Sequence, residues 1–111
     1  MKQYQVAVSP KARQQIGDCA LYIAQQSGSL EVADRWIDRV YDSIQTLSTF
    51  PHRFVLGEEN EYRDYEIRRK LIGRNLALHT IDEEAKVVRI IHFRHGSRLP
   101  RPGELPGEPT G

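Results

Sequence analysis

The sequence predicts an α+β protein with the element order β-α-α-β-β-β, in which an antiparallel sheet packs against an N-terminal helical hairpin. Two long stretches place apolar residues at helical spacing and are joined by a short turn. Three short runs rich in β-branched residues follow them and are separated by turn residues. Because a chain of 111 residues is long enough for one hydrophobic core, residues 1–98 are expected to form a single domain.

The helical hairpin is the part of the fold that the sequence predicts most directly. A short first strand is followed by Ser9 and Pro10, which suit the N-cap and the first position of a helix. This helix is expected to end near Gly28, and the second helix to begin around Ser29 and to end before Pro51. The apolar stripe of the first helix is Ala12, Ile16, Cys19, Ala20, Ile23 and Ala24, and that of the second is Ala33, Trp36, Ile37, Val40, Tyr41, Ile44 and Leu47.

The C-terminal half of the chain is predicted to supply the rest of the sheet. Strands are expected at residues 65–71, at 76–81 and from residue 87 onward, with turn residues between them. An acidic connector without periodicity precedes them. Residues 99–111 contain four prolines and three glycines, so they are expected to form a flexible tail that packs as neither helix nor strand.

Composition and charge narrow the class of protein. Hydrophobic residues make up 39% and charged residues 28%, as in ordinary soluble domains. No apolar run approaches the length of a membrane span, and the single Cys19 suits a reducing compartment, so a cytoplasmic protein is expected. Residues 1–61 carry six Lys/Arg against eight Asp/Glu, whereas residues 62–101 carry ten against five. The second half is therefore the expected face for an acidic partner.

The last predicted strand ends in a polar cluster. Arg94, His95 and Arg98 stand around Gly96, which is expected to end the strand with a positive φ angle. A histidine in such a place can act as an acid or a base near neutral pH. Both a functional surface and a plain solubilising strand end fit this pattern.

Four segments, taken together, resemble the ParE/RelE toxin superfamily, and in particular its ParE-like branch. They are the opening residues 4–12, the stretch from Ala33-x-x-Trp36 through Leu47-x-x-Phe50-Pro51-x-Arg53, the strand with Ile67-Arg68, and residues 88–98 with the ending His95-Gly96-x-Arg98. Their order and spacing extend over nearly the whole chain without its tail. The resemblance implies a small toxin of a type II toxin–antitoxin system, encoded beside an antitoxin that binds and neutralises it.

The superfamily contains two activities. RelE-like members cleave mRNA on the ribosome, and such cleavage needs an acid, a base and cations; the candidates here are Arg68, Arg94, His95 and Arg98. ParE-like members are described as poisons of DNA gyrase. The long helical hairpin and the strand ending are more similar to ParE, so a toxin that acts by binding, without a cofactor, is expected. A degenerate member that binds an antitoxin without being toxic is the third hypothesis.

Five residues are candidates for partner binding: Trp36, Arg68, Arg94, His95 and Arg98. Trp36 also suits a core aromatic, and Arg68 a solvated strand edge. No metal site is expected, because His92 and His95 face opposite ways on one strand and the other histidines are distant in sequence. The expected partners are a cognate antitoxin and DNA gyrase, or the ribosome and mRNA in the alternative, and no membrane; the toxin–antitoxin pair could also assemble into a larger complex. The antitoxin is expected to dock amphipathic segments on the helical hairpin and a strand on the sheet edge.

Overall fold

The computed structural model describes residues 3–98 and 101–109, and its element order confirms the predicted fold class. The helices are α1 (Pro10–Ser27) and α2 (Leu30–Gln45), and the strands are β1 (Gln5–Val8), β2 (Arg68–Ile72), β3 (Asn75–Asp82) and β4 (Val87–His95). The four strands form one sheet in the order β1-β4-β3-β2. Within the described residues, no helix is long and apolar enough to cross a membrane.

The sheet is mixed, whereas the sequence predicted an antiparallel one. The pairs β2–β3 and β3–β4 are antiparallel as expected, but β1 runs parallel to β4, with Gln5 opposite Val87 and Val8 opposite Ile90. Tight turns make antiparallel neighbours of consecutive strands. No turn links β1 to β4, so the helical hairpin and the intervening strands decide their relative direction.

α1 begins and ends, and α2 begins, where the capping residues predict, whereas α2 ends at Gln45 and a 3-10 turn at Thr46–Ser48 follows it, before the end expected at Pro51. The Ser9 side chain accepts a hydrogen bond from the N–H of Ala12 at 3.1 Å, and the Ser29 side chain accepts one from Val32 at 3.2 Å. Gly28 ends α1 with φ 69°, and its N–H donates to the carbonyl of Ala24. A left-handed residue at this position favours glycine. Local chemistry therefore sets the length of the hairpin.

The sheet has a front face, covered by the helices, and a back face, covered by irregular chain. The front core consists of Ala12, Ile16, Val40, Ile44, Leu47, Ala77, Val88, Ile90 and Phe93. The back core consists of Ile67, Leu76, Leu78, Ile91 and Leu105. The fold thus has three layers instead of the two that were predicted.

A β-bulge in β4 determines which side chains reach each face. Leu78 pairs with His92 and the next residue of β3, His79, pairs with Ile90, so Ile91 is an extra residue in β4. Because side chains alternate along a strand, one extra residue exchanges the faces of everything beyond it. Val88 and Ile90 precede the bulge and face the helices, and beyond it Phe93 faces them too.

Two predicted boundaries in the C-terminal half differ from the structure. The strand expected from Tyr65 begins at Arg68, because Tyr65 and Ile67 pack on the back core instead of pairing with β3. The expected flexible tail contains a 3-10 turn at Pro102–Glu104, and its Leu105 is buried. Residues 99, 100, 110 and 111 of that tail lie outside the described residues. The described part has an apolar anchor that the surrounding prolines and glycines obscure in the sequence.

His79 is a buried histidine at the centre of β3. Its side chain is 0% exposed, the backbone of Ala77 and Pro51 lies beside the ring, and the Phe54 ring meets it edge-on at 5.8 Å. Burial lowers the pKa of His79 to about 4, because a charged imidazolium loses its hydration there. His79 is therefore neutral in the folded protein at neutral pH.

We expect acid to destabilise the protein through His79. The unfolded chain binds a proton below its pKa near 6.5 and the folded one does not, so stability is complete above that pH and falls as the pH drops toward 4. The loss amounts to about 3 kcal/mol. Urea unfolding at pH 7 and pH 4 should show this loss in the wild type and a smaller one in His79→Leu. Ile90→Val, which alters the residue paired with His79, should lower the free energy of unfolding by about 1 kcal/mol at both pH values. An equal loss of unfolding free energy between pH 7 and pH 4 in all three proteins would contradict the assignment.

Candidate partner-binding site

Arg94 is buried in the structure and does not belong to the exposed surface that was expected at the end of β4. The bulge turns its side chain to the back face, where its Nε lies 2.6 Å from Oε2 of Glu59. The side chains of Arg94 and Glu59 are only 5% and 1% exposed. A charge pair this well buried depends on both partners, because either charge alone would remain desolvated. Arg94 is therefore an internal structural residue and not a contact for a partner.

The Arg94 guanidinium holds the turn that follows β4. Its Nη1 donates to the carbonyl oxygens of His95 and Arg98, and the N–H of Arg98 donates to the carbonyl of His95 at 3.1 Å. The N–H of Gly96 donates to the carbonyl of Arg74 at 2.8 Å. These bonds, from the buried Arg94 side chain and to the backbone of Arg74, fix the turn of residues 95–98, here called the β4 turn.

His95 and Arg98 are exposed on the β4 turn, as the surface hypothesis expected. Nδ1 of His95 accepts the N–H of Ser97 at 3.1 Å and lies 2.7 Å from the Ser97 hydroxyl. When the ring is neutral, a bond of this kind leaves the proton on Nε2. The β4 turn therefore presents an oriented imidazole beside a cation.

Gly96 does not have the positive φ angle that was predicted for it, since the positive-φ glycines of the described chain are Gly28 and Gly73. A Cβ atom at Gly96 would lie 3.2 Å from the carbonyl oxygen of Arg74. Glycine is favoured there because two backbone segments approach closely, not because of the φ angle.

Arg68 lies at the start of β2, beside the middle of β3 and away from the β4 turn. It pairs with His79, whereas His95 pairs with Asn75, four residues away along β3. At about 3.3 Å per residue, this separates Arg68 from His95 by at least roughly 13 Å. Arg68 also donates to the carbonyls of His52 and Phe54 at 3.3 and 2.7 Å. The four candidates for an RNA-cleaving set are therefore not gathered in one place.

Trp36 packs against the sheet and is only half buried. Its ring meets that of Phe93 edge-on, with 6.1 Å between the ring centroids. Phe93 reaches this face because of the bulge, so the pair attaches α2 to β4. The rest of the Trp36 side chain is accessible to solvent, and its contact with a partner stays a prediction.

Three polar residues that the sequence did not single out are organised at the back face. Oε1 of Gln15 accepts the N–H of Phe93 at 2.8 Å, so the amide nitrogen of Gln15 is the group that faces Nδ1 of His92, at 3.1 Å. Nδ1 then accepts, and Nε2–H of His92 points to the Glu104 carboxylate at 3.5 Å. Burial lowers the pKa of His92. Only the fold brings these residues together, and no spacing in the sequence signals it.

Glu83 connects three distant segments at the opposite end of the sheet. Its carboxylate accepts the Tyr4 hydroxyl at 2.9 Å, and His52 Nε2 and Lys86 Nζ lie 2.7 and 2.9 Å from it. Hydrogen bonds from Lys86 and Tyr4 lower the pKa of Glu83. A neighbouring cavity of about 220 Å³ is lined in part by His52, Arg68 and Glu83. Because the carboxylate is fully engaged, the cluster suits a structural connection better than a catalytic one.

Large apolar side chains are exposed in the connector of residues 50–62, where they include Phe50 and Val55, and on two regular surfaces of the described chain. Leu21, Tyr22 and Leu30 lie near the tip of the helical hairpin and are 59%, 62% and 76% exposed. Leu71, 66% exposed, lies on the edge strand β2. Apolar groups concentrated on a hairpin tip and at an open strand edge are typical of surfaces that bind another chain.

Among the described residues, no group of three His, Cys, Asp or Glu side chains lies close enough together to hold a metal ion.

The Arg94–Glu59 ion pair should contribute more to the free energy of unfolding than the exposed Arg98 of the β4 turn does. Arg94→Met leaves the Glu59 carboxylate buried without a partner, so urea unfolding should show a loss of about 3–5 kcal/mol. Arg98→Ala removes an exposed side chain and should change the free energy of unfolding by no more than about 0.5 kcal/mol. The double variant Glu59→Leu/Arg94→Met should recover part of the loss. Equal stability of Arg94→Met and Arg98→Ala would refute the assignment.

Comparison with known proteins places this geometry in a family. The profile of the ParE toxin of type II toxin-antitoxin systems, parDE, matches residues 6–100. The fold is similar to a solved structure described as the chromosomal ParDE TA system from P. aeruginosa, with a TM-score of 0.69 and 12% sequence identity over 86% of this chain and 98% of that one. It is also similar to the archaeal RelE-RelB complex from Pyrococcus horikoshii OT3, with a TM-score of 0.55 and 16% identity over 89% and 100% of the two chains. No curated protein matches the sequence significantly.

At these identities the structural likenesses show a common fold. The profile match goes further, because it covers most of the chain and includes Trp36, Arg68 and the whole β4 turn. The chain belongs to the ParE toxin family of type II toxin–antitoxin systems.

Proposed function

We propose that the chain is a toxin that inhibits DNA gyrase by binding it in the cytoplasm, and that a cognate antitoxin neutralises it. The family match over residues 6–100 carries the proposal, since the family resemblance implies an antitoxin and ParE-like members are described as gyrase poisons. The toxin is proposed to act without a cofactor and without bond-breaking chemistry of its own.

The separation of the cationic residues supports binding over RNA cleavage. An acid, a base and the cations that stabilise a phosphorane must all lie within a few ångströms of one phosphate. Arg94 is committed to Glu59, and Arg68 is held by loop carbonyls far from His95. His95 and Arg98 then remain as contact residues on a fixed turn, which suits recognition of an acidic surface.

The exposed apolar surfaces support an antitoxin as the second partner. The hairpin tip offers Leu21, Tyr22 and Leu30 to an amphipathic segment, and β2 leaves a strand edge beside Leu71. Both fit known modes of peptide recognition, in which a helix fills an apolar groove or a strand extends a sheet.

The purified full chain should inhibit supercoiling of relaxed plasmid by DNA gyrase, while an mRNA in a translating extract stays intact. His95→Ala and Arg98→Ala should weaken the inhibition by about tenfold or more, the size expected when a contact worth about 1.4 kcal/mol is lost. Both variants should keep the thermal midpoint of the wild type, because the two side chains are exposed. Arg39→Ala, which removes an exposed arginine of α2, is the matched control and should inhibit normally.

Two outcomes would contradict the proposal in different ways. Ribosome-dependent mRNA cleavage that is lost on His95→Ala or Arg68→Ala would identify a RelE-like nuclease. Normal growth on expression of the intact chain, with supercoiling and translation both unaffected, would identify a non-toxic module that only binds an antitoxin.

A further inference from the structure

The chain's own C-terminal segment is bound to the back face of the sheet as a short peptide with one 3-10 turn would be. Residues 101–109 cross this face, and within the segment the N–H groups of Glu104 and Leu105 donate to the carbonyls of Arg101 and Pro102, while Arg101 lies 3.4 Å from the Glu104 carboxylate. Their single buried side chain is Leu105, 5% exposed, which enters the back core between the strands. The wall of this hole consists of Ile67, Leu76, Leu78 and Ile91.

The polar contacts hold the backbone of the segment. Arg63 donates through Nε to the carbonyl of Pro106 at 2.9 Å and through Nη2 to those of Pro102 and Leu105 at 2.7 and 2.8 Å. The Tyr65 hydroxyl donates to the carbonyl of Pro106 as well. Contacts of this kind recognise the backbone of a bound peptide and depend little on its side chains, apart from the apolar anchor.

One position of the segment faces hydrogen-bond donors of the domain. The carboxylate of Glu104 lies 3.5 Å from Nε2 of His92, and the Glu104 carbonyl accepts Lys11 Nζ at 2.8 Å. Because the Gln15 amide donates to Nδ1, the neutral ring of His92 carries its proton on Nε2, which faces this place. Glu108 is exposed, and nothing comparable faces it in the described chain.

The groove lies within the part of the chain that matches the family, whereas the segment that fills it lies outside that match. Arg63, Tyr65, His92 and the strands that form the hole lie within the match to the family, which ends at residue 100. The segment begins just beyond it. The shared domain thus supplies a built groove, and a segment outside the family match fills it in this chain.

We propose that the back face is a docking groove for a short peptide in which an acidic residue is followed directly by leucine, that the antitoxin supplies such a peptide, and that residues 101–109 compete with it from within the chain. The inference rests on the proposed function for the identity of the partner. A tethered segment acts at a high effective concentration, so it excludes weak ligands and yields to a partner that adds contacts elsewhere.

The test uses a fluorescent peptide with the sequence of residues 101–109, added to the full-length chain and followed by anisotropy. Leu105→Asp releases the internal segment and should bind the peptide at least about tenfold more tightly than the wild type does, because the intramolecular competitor is lost. Adding Arg63→Ala to this variant should abolish binding. In the peptide, alanine at the position of Glu104 should weaken binding, whereas alanine at the position of Glu108 is the matched control and should not.

Circular dichroism and thermal melting confirm that each variant is folded, and Leu105→Ala replaces Leu105→Asp if the latter is not. Equal affinity for the wild type and the released variant, or no binding to a folded released variant, overturns the proposal. If neither variant folds, the segment is part of the core and the proposal is also overturned. The assay contains neither gyrase nor antitoxin, so its failure is distinct from a failure to inhibit supercoiling.

Discussion

β4 contains one more residue than β3 between the pairs Leu78–His92 and His79–Ile90, and most of the site geometry depends on this bulge. Without it, strict alternation would turn Phe93 away from the helices and Arg94 toward them. Phe93 would then lose its contact with Trp36, and a guanidinium would enter the front core. The bulge allows one strand to support an apolar layer on the front and a polar network on the back, as bulges near functional sites commonly do.

The polar network gives the β4 turn its rigidity. Glu59 neutralises Arg94, and Arg94 in turn binds the carbonyls of the turn that presents His95 and Arg98. Recognition residues work best on a support that does not reorganise on binding, because less conformational entropy is lost. Near the end of β4, Glu59 and Arg94 therefore build the support. His95 and Arg98 are free to touch a partner.

The third layer of the fold, the irregular chain on the back of the sheet, includes the C-terminal segment. A sheet covered by helices on one side leaves apolar side chains on the other, and these must be covered by something. Residues 57–67 cover part of the back core and Leu105 covers the rest. A segment that follows the last strand and closes an apolar surface without joining the sheet can be exchanged for another peptide without breaking a strand pairing.

The sequence by itself determined the elements whose causes are local. Ser9, Ser29 and Gly28 set the helix ends, apolar periodicity set the helix faces, and turn residues set the two hairpins; the family followed from the order of these segments. Tertiary structure decided what depends on distant partners. The parallel β1–β4 pairing, the bulge, the burial of Arg94 against Glu59 and the docking of residues 101–109 each join parts of the chain far apart in sequence. Periodicity reports which residues share a face of one element, but not which distant residue meets that face, and this is why only the fold could separate the supporting residues from the exposed ones.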